Sequence, residues 1–577
     1  MKFIHLPFSL LTILILSWQL YISSAYAQWS TDANVNNVIC DATLDQVYPK
    51  IVSDGSGGAI MTWHDRRNGN TDENIYGQRI NSSGVVQWTV NGATLCDTVR
   101  NQTYPSIASD GSGGAIIAWN DQRDVSLVSD IYAQRINSSG DVQWTANGIP
   151  ICNTPEFQHT PIILSDGSGG AIIAWNDSRD GGANTNIYAQ KINSSGDAQW
   201  PVNGIPICNV SGEEQFLSLV SDGSGGAIII WEDGRDGGSF NDIYAQRINS
   251  AGVIQWTSNG VALSNDSSSV IPTSTSDGSG GAIITWMDNR NGIANHIYAQ
   301  RIDSTGDVKW TVNGVAICTA QYGGSHPTIT SDGSGGAIIT WEDLREGALN
   351  FDIYVQKINA SGAVQWTENG VAICTATGNQ VVPTIVSDGS GGAIITWGDK
   401  RGGGAYGDIY AQKINSSGVV QWAVDGVAIS TAARDQNTPT IISDGLGGAI
   451  ITWGDDRNHF ISSFDIYTQQ VNANGDLGVV AGVAEESGIV MDFALLQNYP
   501  NPFNPSTTIS WQAPVGSWQT LKVYDLMGNE VATLVNEYIP AGSYEIEFAA
   551  DNLPSGIYFY QIRSRDFVQT KKMIYLK

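Results

Sequence analysis

A Trp-x-Asp-x-Arg motif places a carboxylate two residues before a guanidinium, a spacing that suits either an ion pair or an acid held beside a cation. It occurs eight times, with the pairs Asp65/Arg67, Asp121/Arg123, Asp177/Arg179, Asp233/Arg235, Asp288/Arg290, Asp343/Arg345, Asp399/Arg401 and Asp455/Arg457. A catalytic carboxylate is needed once or twice, so a pair in every copy serves something every copy needs. The structural reading is an Asp to Arg bridge that pins a loop or a neighbouring unit, with the Trp packed between sheets. The alternative is a ring of ligand-binding pairs.

Other reactive residues are sparse. His64, His159, His296 and His326 are scattered, and no Ser/His/Asp set, zinc spacing or phosphate loop stands out. No catalytic residue, metal site or cofactor is therefore expected. The recurring Asp-Gly-Ser-Gly-Gly suits a tight turn with positive φ. Its Asp is also a possible calcium ligand, although calcium loops carry several oxygen ligands and this one offers two. Cys40, Cys96, Cys152, Cys208, Cys318 and Cys374 share one place in the repeat, with Ser264 and Ser430 in the remaining slots. Equivalent positions on separate units lie beyond the roughly 4.4–6.8 Å Cα separation of a disulfide, so small buried side chains are expected.

The elements that position these residues follow from a constant period. Ser-Asp-Gly begins at Ser53, Ser109, Ser165, Ser221, Ser276, Ser331, Ser387 and Ser443, at intervals of 55 or 56 residues. Within the seventh unit, "VVPTIVSD", "AIITWGD", "DIYAQKI" and "VVQWAVDGVAIS" are β-branched and aromatic runs separated by Gly, Asn, Asp and Ser clusters. Four antiparallel strands per unit predict an all-β, eight-bladed propeller. The eighth unit lacks its "QW" strand, and "QWSTDANVNNVIC" at 28–40 matches it, so the N-terminal strand is expected to close the ring. This resembles the strand exchange of WD-repeat propellers, without the WD dipeptide.

Recognition belongs where the copies differ. The turns after strands one and three repeat, whereas the connections after strands two and four vary and share the opposite face. Gln46, Gln102, Gln158, Gln380 and Gln436 stand seven residues before Ser-Asp-Gly, but blades four to six have Glu214, Ser269 and Gly324. That asymmetry points to the arc of blades four to six, with Glu214, Phe216, Phe240, Tyr322 and His326 as expected contacts for a glycan or protein.

The chain has 577 residues and a net charge of -28, nearly all of it in the repeats. Such a surface repels nucleic acid and anionic membrane. Residues 1–27, with Lys2, an apolar run and an Ala-Tyr-Ala ending, read as a secretory signal, leaving a mature chain without a transmembrane segment. The propeller is expected over 28–477, a linker over 478–493 and a small β-sandwich over 494–577. A monomer is expected.

The last segment carries Tyr499, Pro500, Asn501, Pro502, Phe503, Asn504 and Pro505, then Ala541, Gly542 and Tyr544, then Ser555, Gly556, Ile557 and Tyr558, and Lys571 and Lys572 near its end. These motifs resemble the type A C-terminal sorting domain of the type IX (Por) secretion system. The resemblance implies that this domain engages the secretion machinery and directs the chain across the outer membrane to the surface or medium. The repeats are similar to others with "DIYAQRI" in exported proteins, a group that implies no activity. Three functions remain open: a non-catalytic propeller binding glycan or protein, a secreted glycosidase or lyase, which needs two unlike carboxylates, and a structural adhesin without a defined small ligand.

Overall fold

The computed structural model describes residues 29–577, apart from 70, 125–127, 182–183, 236–240, 266–267, 346, 348–349, 404–406, 460–462, 479–493, 496–497, 499–500, 514–516, 540–541, 551–552, 565–566 and 577. The signal segment and nearly all of the linker lie outside the described residues. The chain divides into two compact units at Val480/Ala481.

The first unit is eight four-stranded antiparallel sheets. Blade one shows the pattern, with strands at Gln46–Ser53, Ala59–Asp65, Asn74–Ile80 and Ala93–Cys96 in sheet order. The second strand is buried at every residue, because its alternating side chains face two different neighbours. Ala59, Met61 and Trp63 pack on Ile39 and Cys40 of the preceding blade, while Ile60 packs on Ile117 and Trp119 of the following one. The core therefore lies between blades, and a single unit has no core of its own.

The outer strand of blade eight is Asn37–Cys40, which pairs antiparallel with Asp465–Val471. Trp29 Nε1 donates to the Ser82 carbonyl of blade one, as Trp88 Nε1 donates from blade one to Ser138 of blade two. The expected fourth strand is shorter than its sequence suggests. Ile80 and Val86 make an isolated bridge, "QWTVNG" then bends, and only Ala93–Cys96 forms the outer strand. Asn91, at φ 61°, and Gly92, at φ 96°, make that bend; a Cβ on Gly92 would lie 2.8 Å from Trp63.

The second unit is a sandwich. A three-stranded sheet holds Ala494–Leu495, Ser506–Ala513 and Gly542–Ala549. A four-stranded sheet holds Glu530–Ile539, Ser517–Tyr524, Gly556–Ser564 and Phe567–Tyr575. Phe503, Trp511, Tyr560 and Tyr575 are among the buried side chains of its core. Among the described residues, no helix is long and apolar enough to cross a membrane.

Candidate functional site

The repeated charges are committed to the scaffold. Arg67 Nε and Nη2 reach the two oxygens of Asp65 at 2.8 and 2.6 Å, and Trp63 Nε1 donates to the same carboxylate at 2.9 Å. The guanidinium lies 3.8 Å over the Tyr76 ring, and Nη2 also donates to the Asn91 carbonyl. Cys40 of the preceding blade lies 3.3 Å from Nη2. All eight Asp/Arg pairs form such bridges.

Arg457 keeps the bridge and adds contacts of its own. It bridges to Asp455 at 2.6 Å like the others, but its Nη2 donates to Asn36 Oδ1 and Ser430 Oγ instead of to the backbone carbonyl that Arg67 finds at Asn91. Its Nη1 donates to the carbonyls of Asn34 and Val35 at 3.1 and 2.9 Å. The physical reason is that the fourth strand of this blade comes from the far end of the chain. The stretch from Trp29 to Asn36 is longer than its counterpart from Trp88 to Asn91, and its bend presents three groups to the guanidinium. Arg457 thus ties the N-terminal segment to the last blade, a task its seven counterparts do not have.

Burial works against the charge on Asp288, but hydrogen bonds from Arg290 and Trp286 outweigh it and hold the carboxyl below its ordinary range. In the glycine-rich turn, Asp54 Oδ1 accepts the Ser56 and Gly58 N–H groups and Oδ2 accepts from Arg79. The six cysteines are buried and free.

The first strand of each blade carries a feature that alternation hides. Pairing with the second strand shifts by a bulge, between Val47 and Lys50 in blade one. The third residue of each first strand takes a left-handed backbone: Tyr48 (φ 56°), Tyr104 (52°), Thr160 (50°), Phe216 (51°), Ile271 (55°), His326 (48°), Val382 (54°) and Thr438 (48°). This conformation is unusual for bulky and β-branched side chains and persists only where the surroundings enforce it. One source is the x residue of Trp-x-Asp in the preceding blade. His64 Nδ1 accepts the Tyr104 N–H, and Glu232 and Glu342 accept those of Ile271 and Val382. The bulges lie on the innermost strands, near the ends that meet the variable connections.

Three of these residues, Tyr48, Tyr104 and Thr160, line a cavity of about 460 Å³, together with Lys50, Thr384 and Thr440 among others. Its walls come from blades one, two, three, seven and eight, the arc opposite the one that the sequence asymmetry indicates. Tyr48 and Tyr104 are 50% and 53% exposed, with ring centroids 6.1 Å apart. His64 lies beneath both rings, edge-on to Tyr48 at 5.1 Å. Burial drives its imidazole down to about 4, which keeps it neutral.

Of the expected contacts, Phe216 and His326 belong to the bulge ring and Tyr322 is exposed beside it, with φ 67°. Phe240 lies outside the described residues. Glu214 corrects the expectation, because it is fully buried and offers nothing to a ligand. It fills the slot in which Gln46 donates to the Leu44 carbonyl. Burial, then the Asp233 charge, push the Glu214 carboxyl up to about 8. Glu214, Cys208 and Asp233 lie close enough to share a cation, but Asp233 is already paired with Arg235. Tyr48, Lys50, His64 and Tyr104 are missing from the sequence-based set.

In the sandwich, Phe503 is buried, with its backbone N–H bonded to Ile574 and its carbonyl to Leu576. Asn501 Oδ1 accepts the Ile574 N–H, and Tyr558 Oη donates to the Pro554 carbonyl. Gly542 and Gly556 each open a strand, Tyr544 stacks on Trp511, and Lys571 and Lys572 lie on the last strand. Pro502, Asn504 and Pro505 flank Phe503 at exposed positions, and Pro500 lies outside the described residues.

Residues 497–576 match the family described as the secretion system C-terminal sorting domain. The chain is type IX cargo. It is exported to the cell surface or the extracellular space. No curated protein matches this cargo in sequence. Its structure is similar to an endo-arabinase from Bacteroides thetaiotaomicron VPI-5482, at 13% identity over 46% of this chain and 95% of that one, TM-score 0.27. An α-L-arabinanase from Penicillium chrysogenum is similar at 17% identity, covering 56% and 98%, TM-score 0.31. A Pyrococcus horikoshii acylaminoacyl peptidase matches at 10% identity, covering 74% and 59%, TM-score 0.37.

Proposed function

We propose that this exported propeller binds glycan, without turning it over, at the bulge-ringed mouth of its central cavity. The observation that carries the reading is the pair Tyr48 and Tyr104, half exposed, held by left-handed backbone beside an open concavity. Sugar rings present C–H faces that stack on aromatic planes, and the Ser106 hydroxyl in the wall suits a polar edge. A concave site also suits a sugar chain better than a flat protein surface.

The test is a glycan array followed by calorimetric titration of any hit. Tyr48→Ala with Tyr104→Ala should weaken binding by about tenfold or more, while melting stays nearly unchanged because both rings are half in solvent. Binding unaffected by the double variant would sink this placement of the site. Silence across the array would favour a structural adhesin.

One observation favours a second reading, a glycosidase or lyase. Glu232 and Glu342 are buried beneath the bulge ring and shifted in opposite directions. Burial raises Glu232 despite the Ile271 N–H. For Glu342, burial is outweighed by the His326 hydrogen bond at 2.9 Å and the Val382 N–H, so its carboxyl is lowered. Separated carboxyl pKa values are what an acid and a base require. Hydrolysis or elimination of a bound glycan, abolished by Glu232→Gln or Glu342→Gln with binding intact, would replace the binding reading with this one.

A further inference from the structure

Lys50 interrupts an otherwise uncharged wall. At the fifth position of the first strand the other blades carry Ser106, Ile162, Ser218, Thr273, Thr328, Thr384 and Thr440. Three of the threonines tie blade to blade, as Thr384 Oγ1 does by donating to the Pro439 carbonyl. Lys50 has no such tie. It lines the cavity, open to the water inside and hemmed in by protein elsewhere, and makes no hydrogen bond or ion pair with a described residue. Lysines at another repeated position have partners: Lys191, Lys357 and Lys413 each pair with the Asp of their own glycine-rich turn and reach the next blade's turn.

Lys50 is exposed to the cavity, and the protein packed around it lowers its ammonium from the ordinary range. The chain holds Asp+Glu 56 against Lys+Arg 28, yet no carboxylate among the described residues pairs with this cation. Lys50 is the one charged side chain among the lining residues of this cavity. The Ser106 hydroxyl in the same lining adds a donor for an oxyanion, and Tyr48 and Tyr104 stand at the rim.

We propose that Lys50 is an anion-binding residue, and that the cavity takes a ligand carrying one oxyanion group, a carboxylate or sulfate on an otherwise neutral glycan. The choice of a glycan rests on the binding function proposed above; the anion site itself does not. A polyanion is disfavoured because the rest of the surface is strongly acidic. A charge-assisted hydrogen bond to this ammonium supplies about tenfold or more in selectivity over a neutral analogue.

The probes are inorganic sulfate, methyl glucuronoside and methyl glucoside, each titrated into the chain labelled with 13C-lysine. The Lys50 Cε resonance is assigned by its loss in Lys50→Met, which should melt no lower than the parent because it removes an unpaired charge. Sulfate and the glucuronoside should shift that resonance saturably and raise the pH at which it titrates. By calorimetry, the glucuronoside should bind the parent about tenfold tighter than the glucoside, and Lys50→Met should erase the difference. Anions that leave the resonance unmoved, or acid and neutral sugars bound equally by the parent, overturn the proposal. Glucoside binding with no anion effect would leave the glycan function standing and remove Lys50 from it. Sulfate binding with neither sugar bound would do the reverse.

Discussion

A single side chain decides the sharpest pH prediction. Glu214 replaces a glutamine whose amide, in blade one, donates to the backbone two residues earlier. A buried carboxyl can imitate that donor only while protonated. Its folded value of about 8 lies above the ordinary 4.5, so between those values the folded state binds more protons than the unfolded one. This contribution is fully present below about 4.5 and is lost as pH rises through the folded value of about 8. Glu214→Gln removes the dependence. The melting advantage of the variant over the parent should therefore grow between those limits and level off above them, as thermal unfolding across a pH series would show. An advantage independent of pH would mean that Glu214 is ionised and paired in the fold.

At the scale of the element, the innermost strand and the N-terminal strand matter most. Removing residues 28–40 strips Trp29, Ile39 and Cys40 from the contact between blades eight and one, bares the edge of Asp465–Val471 and takes from Arg457 its partners at Asn34, Val35 and Asn36. Each large apolar side chain taken out of that contact costs roughly 1.5–3 kcal/mol. The truncated chain should melt much lower or associate through its open edge, as calorimetry and sedimentation would show. Unchanged melting in a monomer would sink that role. Strand number and order were legible in the sequence because the turns between them need Gly, Asn and Asp at fixed places. The bend after "QW" was not, since Gln87 and Trp88 continue a strand-like pattern until Asn91 and Gly92 break it. Nor was the site. Period-two alternation places Tyr48 on a sheet face, and only the bulge, an extra residue in the inner strand, turns it to the mouth. Aligning the third residue of all eight first strands, most of them just before a proline, would have exposed the ring. Glu214 misled for the opposite reason: a charged residue at a variable position suggests solvent, and here it stands inside.

The whole molecule joins a propeller, proposed above to bind glycan, to an export address. The sandwich has a core of its own. Residues 494–577 fused to a periplasmic reporter should carry it to the surface or medium of a host with the type IX machinery, as fractionation would show. Retention in the periplasm beside a normally exported cargo would contradict autonomous sorting. The core of the propeller and the binding site proposed above draw on separate residues. Blade-to-blade packing uses Trp63 and its seven counterparts, all fully buried, whereas the bulge positions hold eight side chains of six kinds on nearly the same backbone. That backbone accepts tyrosine, threonine, phenylalanine, isoleucine, histidine and valine alike. The ring is thus an eight-letter word written in interchangeable type, and duplication followed by drift can respell it without recasting the frame. Specificity in such a molecule evolves by spelling, one blade at a time.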